Sequence, residues 1–330
     1  MDDLFVVSSA PHIHSKLNLK KSIFIVILCL LPSLIAGVIY FGLYSLIVVV
    51  FSILSSTISE MFYEYLKNRK ITFSNGSAIL TGLLLGMSLP PMVPLWIPIT
   101  GSAFAIIIVK QIFGGIGFNL LNPALAGRAF LTLTFPLIMS TSYQTPVYGV
   151  LSGIDVITQA TPLTILKNPK YYGDANLIIE KFSSPDYLKI LLFGKIGGAI
   201  GETCKILLLI GGISLLFLKI IDFRIVIGYL FSYLILNLFI PGGINPLFQL
   251  FSGGVLLTIF FMATDWVTTP ITKNGRWIFG IGCGIFTVLL RRFSVYPEGI
   301  TPSILLMNLL SPLIDKLTIK RRIECQKSNR

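Results

Sequence analysis

The sequence predicts an all-α, polytopic membrane protein, because of its composition and the length of its apolar runs. Of the 330 residues, 54% are hydrophobic and 12% are charged, whereas an average soluble domain carries about 25% charged residues. Roughly 178 apolar residues would fill on the order of nine or ten membrane helices of about 20 residues each. The runs are continuous and do not alternate between apolar and polar residues, which excludes a membrane β-barrel.

The apolar runs predict ten transmembrane helices, separated by segments that contain glycine, proline or charged residues. The third helix is short because it ends at the pair Pro90-Pro91. The fifth begins near Asn122-Pro123, which is typical of a helix N-cap followed by proline at the first helical position. In chain order, the predicted helices span 22–40, 43–65, 77–90, 94–112, 121–139, 203–219, 223–240, 247–265, 276–291 and 300–316.

A long polar segment, residues 140–202, separates the fifth helix from the sixth, and the basic residues orient it. Seventeen Lys and Arg residues fall in the tails and loops on one predicted side, whereas the short loops on the other side contain only Arg291 and Arg292. Because Lys and Arg accumulate on the cytoplasmic side, we expect both tails, 1–21 and 318–330, in the cytoplasm. The 140–202 segment would then be a periplasmic loop.

Two pairs of segments indicate an internal repeat. Residues 76–81 resemble 253–258 at an offset of 177, and residues 122–123 resemble 301–302 at an offset of 179. Each half would contain five helices, and because five is odd the second half would enter the membrane inverted. Inverted repeats usually place function near the membrane midplane, at short or broken helices. The two predicted repeats are residues 22–139 and 203–317.

Several functional classes are not expected. The net charge of +12 does not indicate nucleic-acid binding, because the basic residues flank apolar runs and no nucleic-acid motif accompanies them. The four cysteines form no CxxC pair, so an iron–sulfur cluster or structural zinc held by this chain is not expected. The only histidines, His12 and His14, lie in the N-terminal tail, so we expect no haem or metal site built by this chain alone.

The first candidate site is the glycine-rich run 110–123, which contains Asn119 and Asn122 three residues apart. Glycines let a backbone approach a flat ligand or another helix closely. Buried amides need hydrogen-bond partners, which a polar ring system could supply. The alternative interpretation is a tight turn followed by a helix cap, with no ligand.

The second candidate site consists of acidic residues at predicted membrane boundaries. Asp265 ends the eighth helix, Glu298 lies opposite Asn119 in the repeat, and Glu202 precedes the sixth helix. A carboxylate at membrane depth is a candidate for an ion or proton relay. For Glu202 and Glu298 the alternative is a structural charge at a helix N-terminus.

The third candidate site is the segment 155–163 of the predicted outer loop. Its threonines next to small residues are typical of turn chemistry, and a hydroxyl there is accessible to a modifying enzyme. The residue types alone do not select one threonine.

The chain resembles a family, the D subunits of the Rnf ion-translocating electron transport complexes, which are related to the B subunit of the sodium-pumping NADH:quinone reductase. The resemblance covers roughly residues 20–317. Together the motifs that carry it are specific, although each alone is weak. They are residues 80–85, 114–123, 155–163, 261–265, 296–299 and 306–308.

The resemblance implies a ten-helix fold of inverted repeats, similar to urea transporters, and an FMN joined through its phosphate to a threonine. The family attachment pattern is Asp-x-x-Ser/Thr-small-Ala-Thr, which places the FMN on Thr161. Gln159 departs from this pattern, where a small residue is commoner. Asn119 and Asn122 match positions near a non-covalent riboflavin, and Asp265 matches a family acid in the same region.

The function implied is that of a bacterial inner-membrane subunit that carries electrons through covalent FMN and couples their passage to Na⁺ or H⁺ movement. Implied partners are the other Rnf subunits, of types A, B, C, E and G, a flavin transferase and membrane lipids. The alternative is a solute channel or transporter of urea-transporter-like fold without a redox role. The flavin-attachment motif distinguishes the two, because a channel does not need it.

Overall fold

Helices make up most of the described chain in a computed structural model, and no β-strand occurs among the described residues. The all-α class is therefore confirmed. The two histidines and residues 147–160 of the predicted loop lie outside this part of the chain. The described residues are 18–67, 75–146, 161–167, 180, 182, 184–194, 196–239, 245–294, 296 and 298–328.

The helices of the first half follow the predicted segments closely. Gly42 alone separates the first two helices, and its φ of 84° is a left-handed conformation that glycine adopts readily. The fourth helix continues directly into a π-helical stretch, Ala105–Gln111, a conformation that is rare and frequent at functional sites. The bounds are α1 Leu19–Phe41, α2 Leu43–Leu66, α3 Ser77–Ser88, α4 Trp96–Phe104, α5 Pro123–Thr134 and α6 Pro136–Thr141.

Two short helices, α7 Pro162–Lys167 and α8 Pro185–Phe193, lie in the long polar segment. Ser184 begins α8 by accepting a hydrogen bond from Tyr187 N at 3.3 Å, a common N-cap arrangement. The helices of the second half follow. Their bounds are α9 Lys205–Phe217, α10 Phe223–Phe239, α11 Pro246–Phe251, α12 Val255–Phe261, α13 Lys273–Phe293 and α14 Ile300–Ser328.

The structure corrects three predicted helix boundaries. The fifth predicted helix is broken at Phe135, because Pro136 has no N–H to continue the ladder and begins α6. The eighth is broken between α11 and α12, where Gly253 has a φ of 67°. The last helix does not end at residue 316 but continues to Ser328, because this stretch contains neither glycine nor proline.

Three helices are long and apolar enough to cross a membrane by length and composition: α1, α2 and the stretch Ile300–Ile319 of α14. The segments Ser77–Ser88, Trp96–Gln111, Lys205–Phe217 and Phe223–Phe239 are apolar but shorter. Large apolar side chains are exposed on the outer faces of α1 and α2, which suits contact with lipid tails. The chain is a helical membrane protein.

Close backbone contacts at glycines hold the helices together. A Cβ on Gly82 of α3 would lie 2.7 Å from Ile53 Cα of α2, so no larger residue fits there without displacement. A Cβ on Gly211 of α9 would lie 2.6 Å from the carbonyl oxygen of Cys29 in α1. Small residues let membrane helices approach in this way, and the second contact joins the first helix of each half.

The segments predicted to be equivalent in the repeat share local geometry. Gly76, directly before α3, has a φ angle of 73°. Gly253, offset by 177 residues and two residues before α12, has a φ angle of 67°. Thr81 and Thr258, at the same offset, each donate the side-chain hydroxyl to the carbonyl oxygen four residues earlier, at 3.0 Å and 2.6 Å. These agreements support the predicted correspondence of the two short helices.

Candidate functional site

One cavity in the described chain brings together Asn119, Asn122 and Asp265, although Asp265 lies far from the two asparagines in the sequence. This asparagine cavity measures about 880 Å³ when the solvent-filled space at its mouth is included. Its walls come from α1, α3, the start of α5 and the segment after α12, and most of its lining is apolar. Lys110 and Thr81 are among the polar side chains that line it.

Asn122 is a helix cap that also joins the two halves of the chain. Its Oδ1 accepts hydrogen bonds from Ala124 N at 3.0 Å and Leu125 N at 3.3 Å. Its Nδ2 donates to the carbonyl oxygen of Met262 at 2.9 Å. The cap interpretation is therefore confirmed for Asn122, and both ends of its amide are engaged by protein atoms.

Asn119 lines the asparagine cavity, and its Nδ2 donates to the carbonyl oxygen of Leu121 at 3.1 Å. The preceding loop needs glycine at Gly114, Gly115 and Gly117, whose φ angles are 126°, 95° and 95°. These values lie where residues with a Cβ are strained. Conformation therefore explains these glycines without a ligand, whereas a ligand role for Asn119 stays a prediction.

Asp265 lies on the wall of the asparagine cavity, after the end of α12. Its Oδ2 accepts from Thr268 Oγ1 at 3.2 Å, and its carbonyl oxygen accepts from Thr269 Oγ1 at 2.8 Å. Within the described ranges, no Lys or Arg forms an ion pair with its carboxylate. The carboxylate therefore lies at the cavity with one hydroxyl and one backbone N–H, from Thr268 and Val267, as partners and without a countercharge among the described residues.

A buried ion pair lies beside the asparagine cavity and is not predicted from the sequence, where Lys110 counts among the cytoplasmic flanking residues. Lys110 Nζ lies 2.5 Å from Glu60 Oε1 and donates to Ser77 Oγ at 2.7 Å. Gln111 Nε2 also donates to Glu60 Oε1, at 2.9 Å. The two charged side chains are 4% and 3% exposed. The sequence feature that could have indicated this pair is that Glu60 and Lys110 each lie inside an apolar run.

Another cavity, called the threonine cavity, contains Thr161 on its wall and measures about 410 Å³ when the solvent-filled space at its mouth is included. Glu202, Lys205 and Glu298 also line it. Asn119 and Glu298, which the predicted repeat aligns, line one cavity each. The asparagine cavity contacts Ser77 at the start of α3, and the threonine cavity contacts Gly253, two residues before α12.

Thr161 lies at the start of α7. Its Oγ1 is 2.8 Å from Thr164 Oγ1 and accepts a long hydrogen bond from Thr164 N at 3.4 Å. Pro162 begins the helix, which is a favourable place for proline. The hydroxyl therefore lies at the cavity wall in a fixed local conformation. The other members of the predicted attachment motif, residues 155–160, lie outside the described chain.

Glu298 forms an ion pair with Arg128 across the two halves of the chain. Arg128 Nη2 lies 2.5 Å from Glu298 Oε2. Arg128 is 4% exposed and also shares a hydrogen bond with Tyr143. Its place inside a predicted helix is visible in the sequence, but its partner is 170 residues away and is not predicted. The Glu298 carboxylate thus has a cationic partner. An ion-coupling role for Glu298 stays a prediction.

Lys167, on the last turn of α7, ties this short helix to the end of α13. Its Nζ donates to the carbonyl oxygens of Arg291 at 3.1 Å, Tyr296 at 3.4 Å and Ser294. Partial burial lowers the pKa of Lys167 below its usual value. These contacts fix the helix that begins after Thr161 against the second half of the chain.

Comparison with known proteins decides the family. The chain matches the profile of the NQR2, RnfD, RnfE family over residues 6–324. The chain belongs to this family. The match covers nearly the whole chain, including both cavities and the segments that carried the predicted resemblance.

Relatives within the NQR2, RnfD, RnfE family have names that refer to ion translocation. The chain is 41% identical over 322 residues to the D subunit of the proton-translocating ferredoxin:NAD(+) oxidoreductase complex of Clostridium ljungdahlii, covering 96% of this chain and 95% of the relative. It is also 41% identical over 316 residues to the Na(+)-translocating counterpart of Acetobacterium woodii, covering 96% and 94%. Identity is 34% over 346 residues with the D subunit of the ion-translocating oxidoreductase complex of Shewanella denitrificans, covering 94% and 95%.

Proposed function

We propose that this protein is the membrane-embedded D subunit of an Rnf-type ferredoxin:NAD⁺ oxidoreductase complex, in which it carries electrons and couples their passage to Na⁺ or H⁺ translocation. The full-length similarity to such subunits supports this function. The two equally similar relatives are named for different ions, so the proposal covers both.

The single observation that carries the proposal is the position of Thr161 on the wall of the threonine cavity, which several charged and polar side chains also line. We infer that Thr161 Oγ1 carries FMN by a phosphoester bond made by a flavin transferase. The residues present fit this group, because the cavity offers the hydroxyl, the buried Lys205 cation and buried polar atoms of Glu202 and Thr203 without partners in the described chain. When bound, the flavin supplies the redox chemistry, and the protein holds and orients it.

The asparagine cavity is proposed to hold a second, non-covalent flavin of the riboflavin type. Its mostly apolar lining suits a flat aromatic ligand. Asn119 would hydrogen-bond the ring, while Asn122 fixes the start of α5 against Met262. Both cavities lie at the short helices of their halves, where inverted repeats usually place function.

Asp265 and Glu298 are the proposed ion-coupling residues. Asp265 has hydroxyl and amide partners and, within the described residues, no cationic one, so its carboxylate can attract a proton or a sodium ion. Glu298 is held by Arg128, so a change at this pair would be transmitted between the two halves.

The proposed arrangement in the cell has ten transmembrane segments in two inverted repeats, residues 22–139 and 203–317. Both termini would lie in the cytoplasm and residues 140–202 in the periplasm, in the bacterial inner membrane. The basic residues support this orientation. Because the chain has no dinucleotide or iron–sulfur motif in its sequence, NAD and ferredoxin would be bound by partner subunits of types A, B, C, E and G.

A reconstitution experiment tests the proposed function as a whole. Inverted membrane vesicles from cells that express the complete complex should take up Na⁺ or H⁺ when reduced ferredoxin is supplied as electron donor and NAD⁺ as acceptor. Vesicles that lack only this chain should lose both the uptake and the electron transfer through the membrane. Unchanged uptake without this chain would contradict the proposal, and solute flux without any electron donor would favour the channel alternative.

A further inference from the structure

The threonine cavity contains buried polar atoms that the described part of the chain leaves without partners. Glu202 is 2% exposed, and its Oε1 accepts from Ala199 N at 2.9 Å. Its Oε2 has no hydrogen-bond partner among the described residues, and neither does Oγ1 of Thr203, which is 4% exposed. Buried polar atoms are nearly always hydrogen-bonded. These two atoms therefore indicate a ligand that supplies hydrogen-bond donors.

Glu202 is held in this position by the start of α12. A Cβ added to Gly254 would lie 2.5 Å from Glu202 Oε2 and 3.6 Å from Arg128 Nη1. The glycine thus leaves the space that the carboxylate occupies, between the helix backbone and the guanidinium group. The unpartnered oxygen is consequently part of a packed arrangement at the cavity.

Lys205 is a buried cation in the lining of the cavity, and its hydrogen-bond partners are neutral. It is 4% exposed, and its Nζ donates to the carbonyl oxygens of Glu202 and, at 2.7 Å, Gly253. No carboxylate forms an ion pair with it within the described residues. A buried ammonium group without an anionic partner favours the binding of an anion.

Arg291 adds a second cation with neutral partners at the same place. Its Nη1 donates to Tyr233 Oη at 2.6 Å and to the carbonyl oxygen of Gln249 at 2.7 Å. Its Nη2 lies close to Gly253, where an added Cβ would be 3.4 Å away. Arg291 therefore adds positive charge beside the cavity without neutralising either of the cavity's carboxylates.

We propose that the threonine cavity binds the ribityl-phosphate arm of the flavin, with Lys205 facing the phosphate and Glu202 Oε2 accepting from a ribityl hydroxyl. Lys205 in the lining, with Arg128 and Arg291 beside it, gives three positive charges against the two carboxylates of Glu202 and Glu298, so one anionic phosphodiester balances these five groups. A phosphate alone would leave the Glu202 oxygen unpaired beside an anion. A polyol phosphate satisfies both groups, because its phosphate is the anion that faces Lys205 and its hydroxyls supply the hydrogen-bond donors that Glu202 Oε2 lacks.

This inference rests on the proposed attachment of FMN and adds the residues that hold the arm. A phospholipid headgroup with an ammonium or hydroxyl donor offers the same chemistry. The two sources differ in that only the flavin arm is covalently attached, so the experiment below separates them.

The test uses the full-length protein, produced together with a flavin transferase and kept in detergent micelles. The readout is the fluorescence anisotropy of the covalent flavin, with the ³¹P resonance of its phosphodiester as a second measurement. In Glu202→Met and Lys205→Met the anisotropy should fall about twofold, because a tethered ring rotates faster when its arm is released. The phosphodiester resonance should move in Lys205→Met.

Two exposed residues of α8 provide matched controls. Lys189 and Asp186 are 71% and 88% exposed, so Lys189→Met and Asp186→Asn should leave both signals unchanged. Thr203→Val provides an independent test, because it removes a hydroxyl without breaking a hydrogen bond within the described chain. It should lower the anisotropy even where the Lys205 variant does not accumulate.

The outcomes separate this inference from the attachment itself. Absence of covalent flavin in the wild type would overturn both. If the wild type is flavinylated and the Glu202, Thr203 and Lys205 variants match the controls, the arm lies elsewhere and only this inference fails. A solvent-extractable lipid phosphate that disappears in Lys205→Met would identify a headgroup as the occupant and would also overturn it.

Discussion

Arg128 Nη2 lies 2.5 Å from Glu298 Oε2. This ion pair connects two residues that are separated by 170 positions in the sequence. Arg128 belongs to the fifth helix of the first half, and Glu298 precedes the last helix of the second half. The pair therefore fastens the two halves at the border of the threonine cavity. Its arginine is buried, so its loss would leave a carboxylate without its countercharge.

Removing only one partner of this pair should destabilise the protein. Breaking a buried ion pair by removal of one partner costs about 3–5 kcal/mol, so Arg128→Met should clearly lower the melting temperature in detergent. Arg128→Met combined with Glu298→Met should recover part of the loss. A loss in the double variant equal to the sum of the losses in Arg128→Met and Glu298→Met would show that the pair does not interact energetically. The melting temperature is measured by heating the protein in detergent and using size-exclusion chromatography to quantify the fraction that stays folded.

Asn119→Leu should lower the content of extractable riboflavin and leave the protein abundance nearly unchanged. A neutral hydrogen bond contributes about 0.5–1.5 kcal/mol, so the affinity should fall roughly two- to tenfold. Asn237, whose Nδ2 bonds the carbonyl oxygen of Tyr233 and which lies outside the lining of the asparagine cavity, provides the control Asn237→Leu. Equal riboflavin contents in the two variants would favour a purely structural role for Asn119.

Asp265→Asn should impair ion transport more than assembly. A charge-assisted interaction contributes about 1.5–3 kcal/mol, so its loss corresponds to a roughly tenfold or greater loss of cation affinity. The ratio of ions taken up to electrons transferred, measured in vesicles, should therefore fall. Asp186→Asn changes an exposed carboxylate of α8 and should leave the ratio intact. Normal coupling in the Asp265 variant would refute its role.

Labelling of introduced cysteines should show opposite orientations for two exposed lysines. Lys189 lies in α8 of the long polar segment, whereas Lys219 lies between α9 and α10. With the outer membrane permeabilised, an impermeant thiol reagent should modify Lys189→Cys in intact cells and Lys219→Cys only after lysis. The reverse pattern would invert the proposed topology.

The positions of most helices could be predicted from the sequence, because each apolar run has the length and punctuation of a helix. The breaks at Phe135 and Gly253 were missed, because hydropathy stays high across both. The cap formed by Asn122 was predictable, since its partners Ala124 and Leu125 follow within three residues. Local sequence carries that information.

Contacts between remote residues could not be predicted in the same way. The hydrogen bond from Asn122 to Met262 spans 140 residues, and nothing in either local sequence specifies it. The sequence analysis counted Lys110 only as a basic residue that flanks an apolar run, and its buried ion pair with Glu60, 50 residues earlier, was not predicted. The grouping of Asn119 with Asp265 in one cavity likewise emerges only from the fold.

Covalent flavin at Thr161 is the central claim, and in-gel fluorescence after denaturation tests it most directly. The full-length chain should be produced with a flavin transferase and compared with Thr161→Ala and Thr164→Ala. Thr164 is the matched control because its hydroxyl lies 2.8 Å from that of Thr161 on the same helical turn. We predict a fluorescent band in the wild type and in Thr164→Ala and none in Thr161→Ala. A fluorescent band that persists in Thr161→Ala would contradict the account.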